Sequence, residues 1–88
     1  MDENFVLHNI IIEERKKVNL SGVKEVVSFE DETIVLITTK GRLIIKGENL
    51  HIVQFDTKTN DLLAEGKVNA VAYQSDEEKS GLFSKLFR

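Results

Sequence analysis

The chain has 88 residues, with 15 Asp and Glu against 12 Lys and Arg, and no cysteine. That length accommodates one domain that buries roughly 60% of the surface its unfolded form exposes, so the core is modest and stability is limited. The absence of cysteine excludes disulfides, thiolate metal sites and a cysteine nucleophile, and mild acidity with no concentrated basic face argues against nucleic acid as a partner.

The N-terminus, MDENFVLHN, is acidic where a secretory signal would be basic, and its apolar runs are too short for a signal or a membrane span. A cytoplasmic location follows as the expectation. In residues 8–20, Ile10, Ile12, Val18 and Leu20 share one parity, with Glu14 and Lys16 between them. This pattern predicts one long strand or two short ones with an irregular middle, the ERKK run forming a solvated edge.

Residues 23–29 are valine-rich and lead into Glu30, Asp31 and Glu32; residues 33–39 are almost wholly β-branched or aliphatic. The two runs predict a hairpin. Lys40 and Gly41 then separate residues 33–39 from 42–46, and glycine supplies the positive φ that a tight hairpin turn needs. Residues 50–55 form another apolar strand, 56–61 a polar turn rich in Asp, Asn and Thr, 62–65 a returning strand, and 68–73 the last one.

Three segments repeat a theme, running from Gly22 to Phe29, Gly47 to Phe55 and Gly66 to Tyr73. The simplest reading is a small all-β domain that places glycine at strand starts and an aromatic in the core. A short β-solenoid-like stack is the alternative, although the uneven spacing does not establish a regular repeat. The predicted class is therefore all-β: a single domain over residues 1–74 with about six or seven mostly antiparallel strands, arranged as a meander, sandwich or roll. Residues 75–88 follow as a tail.

Catalytic chemistry is hard to place on this chain. His8 and His51 lack a second histidine at metal-ligand spacing, and His51, between Leu50 and Ile52, reads as a partly buried structural residue. The acidic runs at 30–32 and 76–78 lack the ligand spacing of a calcium loop and read as a solvated turn and a helix start. Serines without a nucleophile elbow and isolated glycines give neither an acyl-transfer site nor a phosphate cradle. No catalytic residue, cofactor or metal ligand is expected.

The tail stands apart in charge and pattern. Residues 1–80 carry a net charge of −5, whereas residues 81–88, GLFSKLFR, hold Lys85 and Arg88 and no acid. Ser75 followed by Glu78 has the form of a capping box, and a helix continued from it would gather Leu82, Phe83, Leu86 and Phe87 on one stripe. Gly81 weakens such a helix by about 1 kcal/mol, and a dozen residues are marginal alone in water, so it should form only against a surface. That surface can be the protein's own sheet, a partner protein including a second copy, or an anionic membrane face held weakly. The candidate docking residues are Leu82, Phe83, Lys85, Leu86, Phe87 and Arg88.

Two further segments carry a resemblance. Leu20-Ser-Gly-Val-Lys-Glu-Val-Val-Ser-Phe29 and Leu43-Ile-Ile-Lys-Gly-Glu-Asn-Leu-His-Ile52, preceded by His8-Asn-Ile10, resemble the YabP family of sporulation proteins over residues 7–73, and the ending GLFSKLFR resembles the YabP branch. The resemblance implies a protein of endospore-forming Firmicutes that helps to build the outer layers of the spore, with no catalytic residue or cofactor to carry over. It implies partners among other sporulation proteins, a membrane protein being one option, and a location at the periphery of the developing spore. The favoured function is a non-enzymatic assembly factor, an adaptor or scaffold. A regulatory β domain enclosing a small molecule near His51 is the alternative. Strands without proline or helix at their edges also leave homo-oligomerisation by edge pairing open.

Overall fold

Six strands form where the apolar runs lie in the computed structural model, which describes residues 7–74. They are β1 (Ile10–Glu13), β2 (Lys17–Leu20), β3 (Val23–Glu30), β4 (Thr33–Thr38), β5 (Gly41–Asp56) and β6 (Asp61–Gln74). All pairs are antiparallel in one open sheet of order β1-β2-β6-β5-β4-β3. The all-β expectation of about six antiparallel strands is thus met by one open sheet, and the β-solenoid-like stack is not formed, because a solenoid stacks its coils in parallel. Residues 8–20 form two short strands, joined by a turn in which Glu14 and Arg15 adopt left-handed φ of 55° and 54°. The amphipathic helix read at residues 75–88 lies outside the described residues.

The link between β2 and β3 dictates the shape. Only Ser21 and Gly22 separate them, yet β2 is second from one edge and β3 is the other edge. In a flat sheet those strands would lie about 19 Å apart, whereas the link spans at most about 11 Å. The sheet therefore curls until its outer strands approach. Val23 N–H donates to the Asn60 carbonyl and Asn60 Nδ2 donates to the Val23 carbonyl, both at 3.0 Å, tying the start of β3 to the β5–β6 turn.

Curling requires the two long central strands to bend. The first half of β5 pairs with β4 and with the end of β6; its second half pairs with the start of β6, which in turn pairs with β2. Register shifts at Lys46/Gly47, between Glu48 and His51, and between Ile52 and Gln54 mark the bend. Gly47 and Gly66 lie there because the two backbones cross closely: a Cβ on Gly47 would stand 1.9 Å from the Lys67 carbonyl oxygen, and one on Gly66 2.6 Å from that of Asn49. The β1–β2 turn braces the crossing, with Gly66 and Val68 N–H donating to the Lys16 and Arg15 carbonyls. Arg15 answers through Nε to the Val68 carbonyl and Nη2 to Asn69 Oδ1. The ERKK run is thus a bracing turn as well as a solvated one.

The core enclosed by the curl is aliphatic. Val18, Leu20, Leu62 and Ala64 from one half meet Val23, Ile34, Leu36, Leu43 and Ile45 from the other, with Leu50 and Val68 at the bend. The expectation that aromatics fill this core is corrected. Phe29 is 65% exposed and Tyr73 46%, and Phe55 only packs against the margin. Branched aliphatic side chains fit the narrow space between facing halves, leaving the rings of Phe29 and Phe55 at the margin.

Candidate functional site: an apolar seam with an acidic rim

Because the curled sheet does not close into a barrel, a seam remains where β3 faces the second half of β5. One end is fixed by the Asn60–Val23 hydrogen bonds. At the other, the β3–β4 turn reaches across, with the Asp31 carbonyl accepting from Leu50 N–H at 2.7 Å and the Glu32 carbonyl from Gly47 N–H at 3.1 Å. The acidic turn read at 30–32 is exposed and also serves as this tie. Between the ends lies an open, largely apolar groove lined by Val26, Phe29, Leu50, Ile52 and Phe55, with Glu30, Asp31 and His51 on its rim.

Local sequence explains why these side chains point there. Phe29 pairs with Ile34 and Val26 with Leu36, so all four share the core-facing side of the sheet. Ile34 and Leu36, on the inner strand, are sealed; Val26 and Phe29, on the edge, are left at the mouth. On β5, Ile52 pairs with Ala64 and Phe55 with Leu62, presenting the other wall. The groove is the visible margin of the core. A surface of this kind can take up an apolar side chain from a peptide or another protein, and its rim favours a cationic neighbour.

A second cleft lies over the bend, bounded by Arg15, Lys17, Glu48, His51, Glu65 and Lys67. Here the reading of His51 as partly buried is corrected. Its side chain is 61% exposed, with Nδ1 3.2 Å from the Asn49 carbonyl and Nε2 3.7 Å from Glu65 Oε1. It lies on the outer side of the bent strand, opposite Glu65 in the register. An exposed pair of this type contributes little to stability. Among the described residues, no three His, Cys, Asp or Glu side chains gather into a group able to hold a metal ion.

His8 is the imidazole that the fold does use, and sequence reasoning passed over it. Its Nδ1–H donates to the Ser21 carbonyl at 2.8 Å, leaving Nε2 to share a hydrogen bond with the Tyr73 hydroxyl. The rings meet edge to face with centroids 5.7 Å apart. Ser21 completes the clasp, its Oγ donating to the Leu7 carbonyl and accepting from Asn9 N–H. The chain before β1 is thereby held to the β2–β3 link and the end of β6. Tyr73→Phe should lower stability by about 1 kcal/mol, read as a fall in the urea midpoint at unchanged slope.

The tail residues Leu82, Phe83, Lys85, Leu86, Phe87 and Arg88 lie outside the described residues. Among those that are described, no helix is long and apolar enough to cross a membrane. The chain matches the model of the YabP family over residues 6–80. It is 34% identical over 84 residues to the spore protein YabP of Bacillus subtilis (strain 168), a match covering 92% of this chain and 84% of that protein. The motifs at residues 20–29 and 43–52, which build the seam's two walls and the bend between them, thus lie within a match that spans the fold, and the chain belongs to the YabP family.

Proposed function

We propose that this protein is a non-enzymatic sporulation factor, acting as an adaptor in assembly of the spore envelope through contacts of its β domain and its GLFSKLFR ending. Its family and the spore protein it resembles support the sporulation context. The observation that carries the adaptor reading is the seam, where Phe29 stands 65% exposed beside partly buried Val26, Ile52 and Phe55. Exposed aromatic area above a packed core is characteristic of interaction surfaces, and a domain this small gains stability from covering it. In this reading the protein works at the periphery of the developing spore, with other sporulation proteins as partners. The second reading, a small-molecule site near His51, draws on the charged cleft over the bend; that cleft is open and sits outside the core.

The test is deletion of residues 81–88 in sporulating cells, with a fluorescent fusion and spore counts as readouts. Loss of localisation with a β domain that still melts cooperatively is the expected result. A truncated protein that localises and supports sporulation normally would remove the tail from the adaptor role.

A further inference from the structure

We infer that the free edge of β1 pairs with β1 of a second copy of this chain, antiparallel and two-fold, so that two sheets join into one. Among the described residues the sheet ends in two edges, β1 and β3, and the second half of β5 leaves a further free edge along the seam. An edge accepts another strand where its unpaired N–H and C=O groups run in step, and charges or bulges spoil it. β3 loses step twice, with Lys24 and Val27 each an extra residue against β4, and it carries Lys24, Glu25 and Glu30. The second half of β5 is bulged between Glu48 and His51 and again at Val53. β1 is different: its pairing with β2 runs without a shift from Ile10–Leu20 to Glu13–Lys17, and three isoleucines precede its one charge.

The hydrogen bonds within the hairpin fix which groups are free. The Asn9 carbonyl accepts from Ser21 N–H and the Glu13 carbonyl from Lys16 N–H, so Asn9, Ile11 and Glu13 turn their backbone groups towards β2. By the alternation of an antiparallel ladder, the N–H and C=O of Ile10 and Ile12 point outward. With Ile11 set opposite Ile11 of the second copy, Ile10 exchanges both bonds with the other copy's Ile12, and every outward group of the strand is used. A shift in one direction brings Ile10 against Glu14, which lies in the left-handed turn; a shift in the other brings Ile12 against His8, which precedes the strand. Both satisfy fewer groups. Side chains agree with the favoured register. Ile10 and Ile12, paired with buried Leu20 and Val18, extend one apolar face across the two copies; Ile11 meets its counterpart on the other face, and Glu13 meets Asn9 and no like charge.

The strand is also held in shape before it meets a partner. The clasp of His8 on Ser21 and Tyr73 anchors its start, and the Arg15 brace anchors the turn at its end, so little ordering cost remains. Ile11 and Ile12, 54% and 43% exposed, supply the apolar area that the contact covers. A contact between strands of four residues buries less than the roughly 1,200 Å² of a stable interface, so monomer and dimer exchange and the balance follows concentration. This pairing uses neither the seam nor the tail.

Light scattering on the full-length chain, over a concentration series reaching about 1 mM, should show the 10.0 kDa monomer giving way to a species of twice that mass. Ile11→Lys sets like charges against each other at an exposed position and should weaken dimerisation at least about tenfold while the melting curve of the dilute protein stays in place. The absence of cysteine allows the register to be read directly. Opposed residues of a non-hydrogen-bonded pair have Cα atoms about 4.5 Å apart, within disulfide range, so Ile11→Cys should give a covalent dimer on mild oxidation. Val27→Cys, on the β3 edge and 44% exposed, should stay largely monomeric under the same treatment. A chain that remains monomeric throughout the series, a dimer indifferent to Ile11→Lys, or equal cross-linking at Ile11 and Val27 would each overturn the proposal. None of these readouts depends on localisation in cells, so the adaptor reading stands or falls separately.

Discussion

Gly47→Ala should be the most damaging single substitution in the β domain, costing about 4 kcal/mol. The reason is not backbone freedom. A Cβ here would stand 1.9 Å from the Lys67 carbonyl oxygen and 3.0 Å from Leu50 Cδ2. Leu50 can shift its methyl, but Lys67 O belongs to the opposing strand and cannot rotate away. Relief requires the two long strands to separate at their crossing, which undoes the bend joining the two halves of the core. For a domain of this size each kcal/mol lowers Tm by about 4–8 °C, so a drop of more than about 15 °C is expected in a thermal melt. Gly41→Ala is the internal control: its φ of +125° carries strain, but nothing lies within 4 Å. That strain is worth about 1–3 kcal/mol. Equal melting temperatures for the two variants would show that the close crossing does not hold the bend.

Leu36→Ala should cost about 3–4 kcal/mol, close to the middle of the range for a buried leucine. Leu36 is fully buried and sits between Val26 of β3 and Leu43 of β5 in register, at the centre of the wall formed by Ile34 and Ile45. Neighbouring side chains are held in strands on both sides and cannot collapse into the space, which places the loss well above the transfer term alone. Phe29→Ala gives the contrast. It removes a larger side chain from the same face, yet with 65% of that residue already in water the melting curve should move by no more than about 0.5 kcal/mol. The pair separates stability from docking. If Phe29→Ala destabilises as much as Leu36→Ala, the seam is a closed part of the core and offers no docking surface.

Strand positions were legible where apolar alternation and turn chemistry agreed. The Asp56–Asn60 turn behaves as its composition predicts, with Asp56 Oδ1 accepting from Lys58 and Thr59 N–H and Asn60 at a left-handed φ of 66°. The β4–β5 turn was legible to within one residue. Thr39 and Lys40 make the turn, and Gly41 opens β5 and pairs with Thr38. The Thr38 hydroxyl sets that register, accepting from Lys40 N–H and donating to the Gly41 carbonyl.

What the sequence concealed was continuity. Gly47, Glu48 and Asn49 look like punctuation between two strands, as do Gly66 and Lys67, yet both stretches lie inside unbroken β5 and β6. A glycine demanded by a backbone crossing and one demanded by a turn are indistinguishable locally; only the partner strand tells them apart. The seam was hidden for the same reason. Its walls come from residues far apart in the chain, so the exposure of Phe29 is a property of the sheet's curl and not of its neighbours.

The two-residue link at Ser21 and Gly22 also bears on how the chain assembles. Strands β3 to β6 follow one another through short turns and can zip as successive hairpins, whereas β2 must pair with β6 across nearly the whole domain, Lys17 with Glu65 and Leu20 with Leu62. Loop-closure entropy makes that pairing the slow step. The β1–β2 hairpin is therefore the last piece to dock, swinging about the Ser21–Gly22 link onto the exposed edge of β6, and a nascent chain released before residues 62–65 have emerged has no edge for it to join.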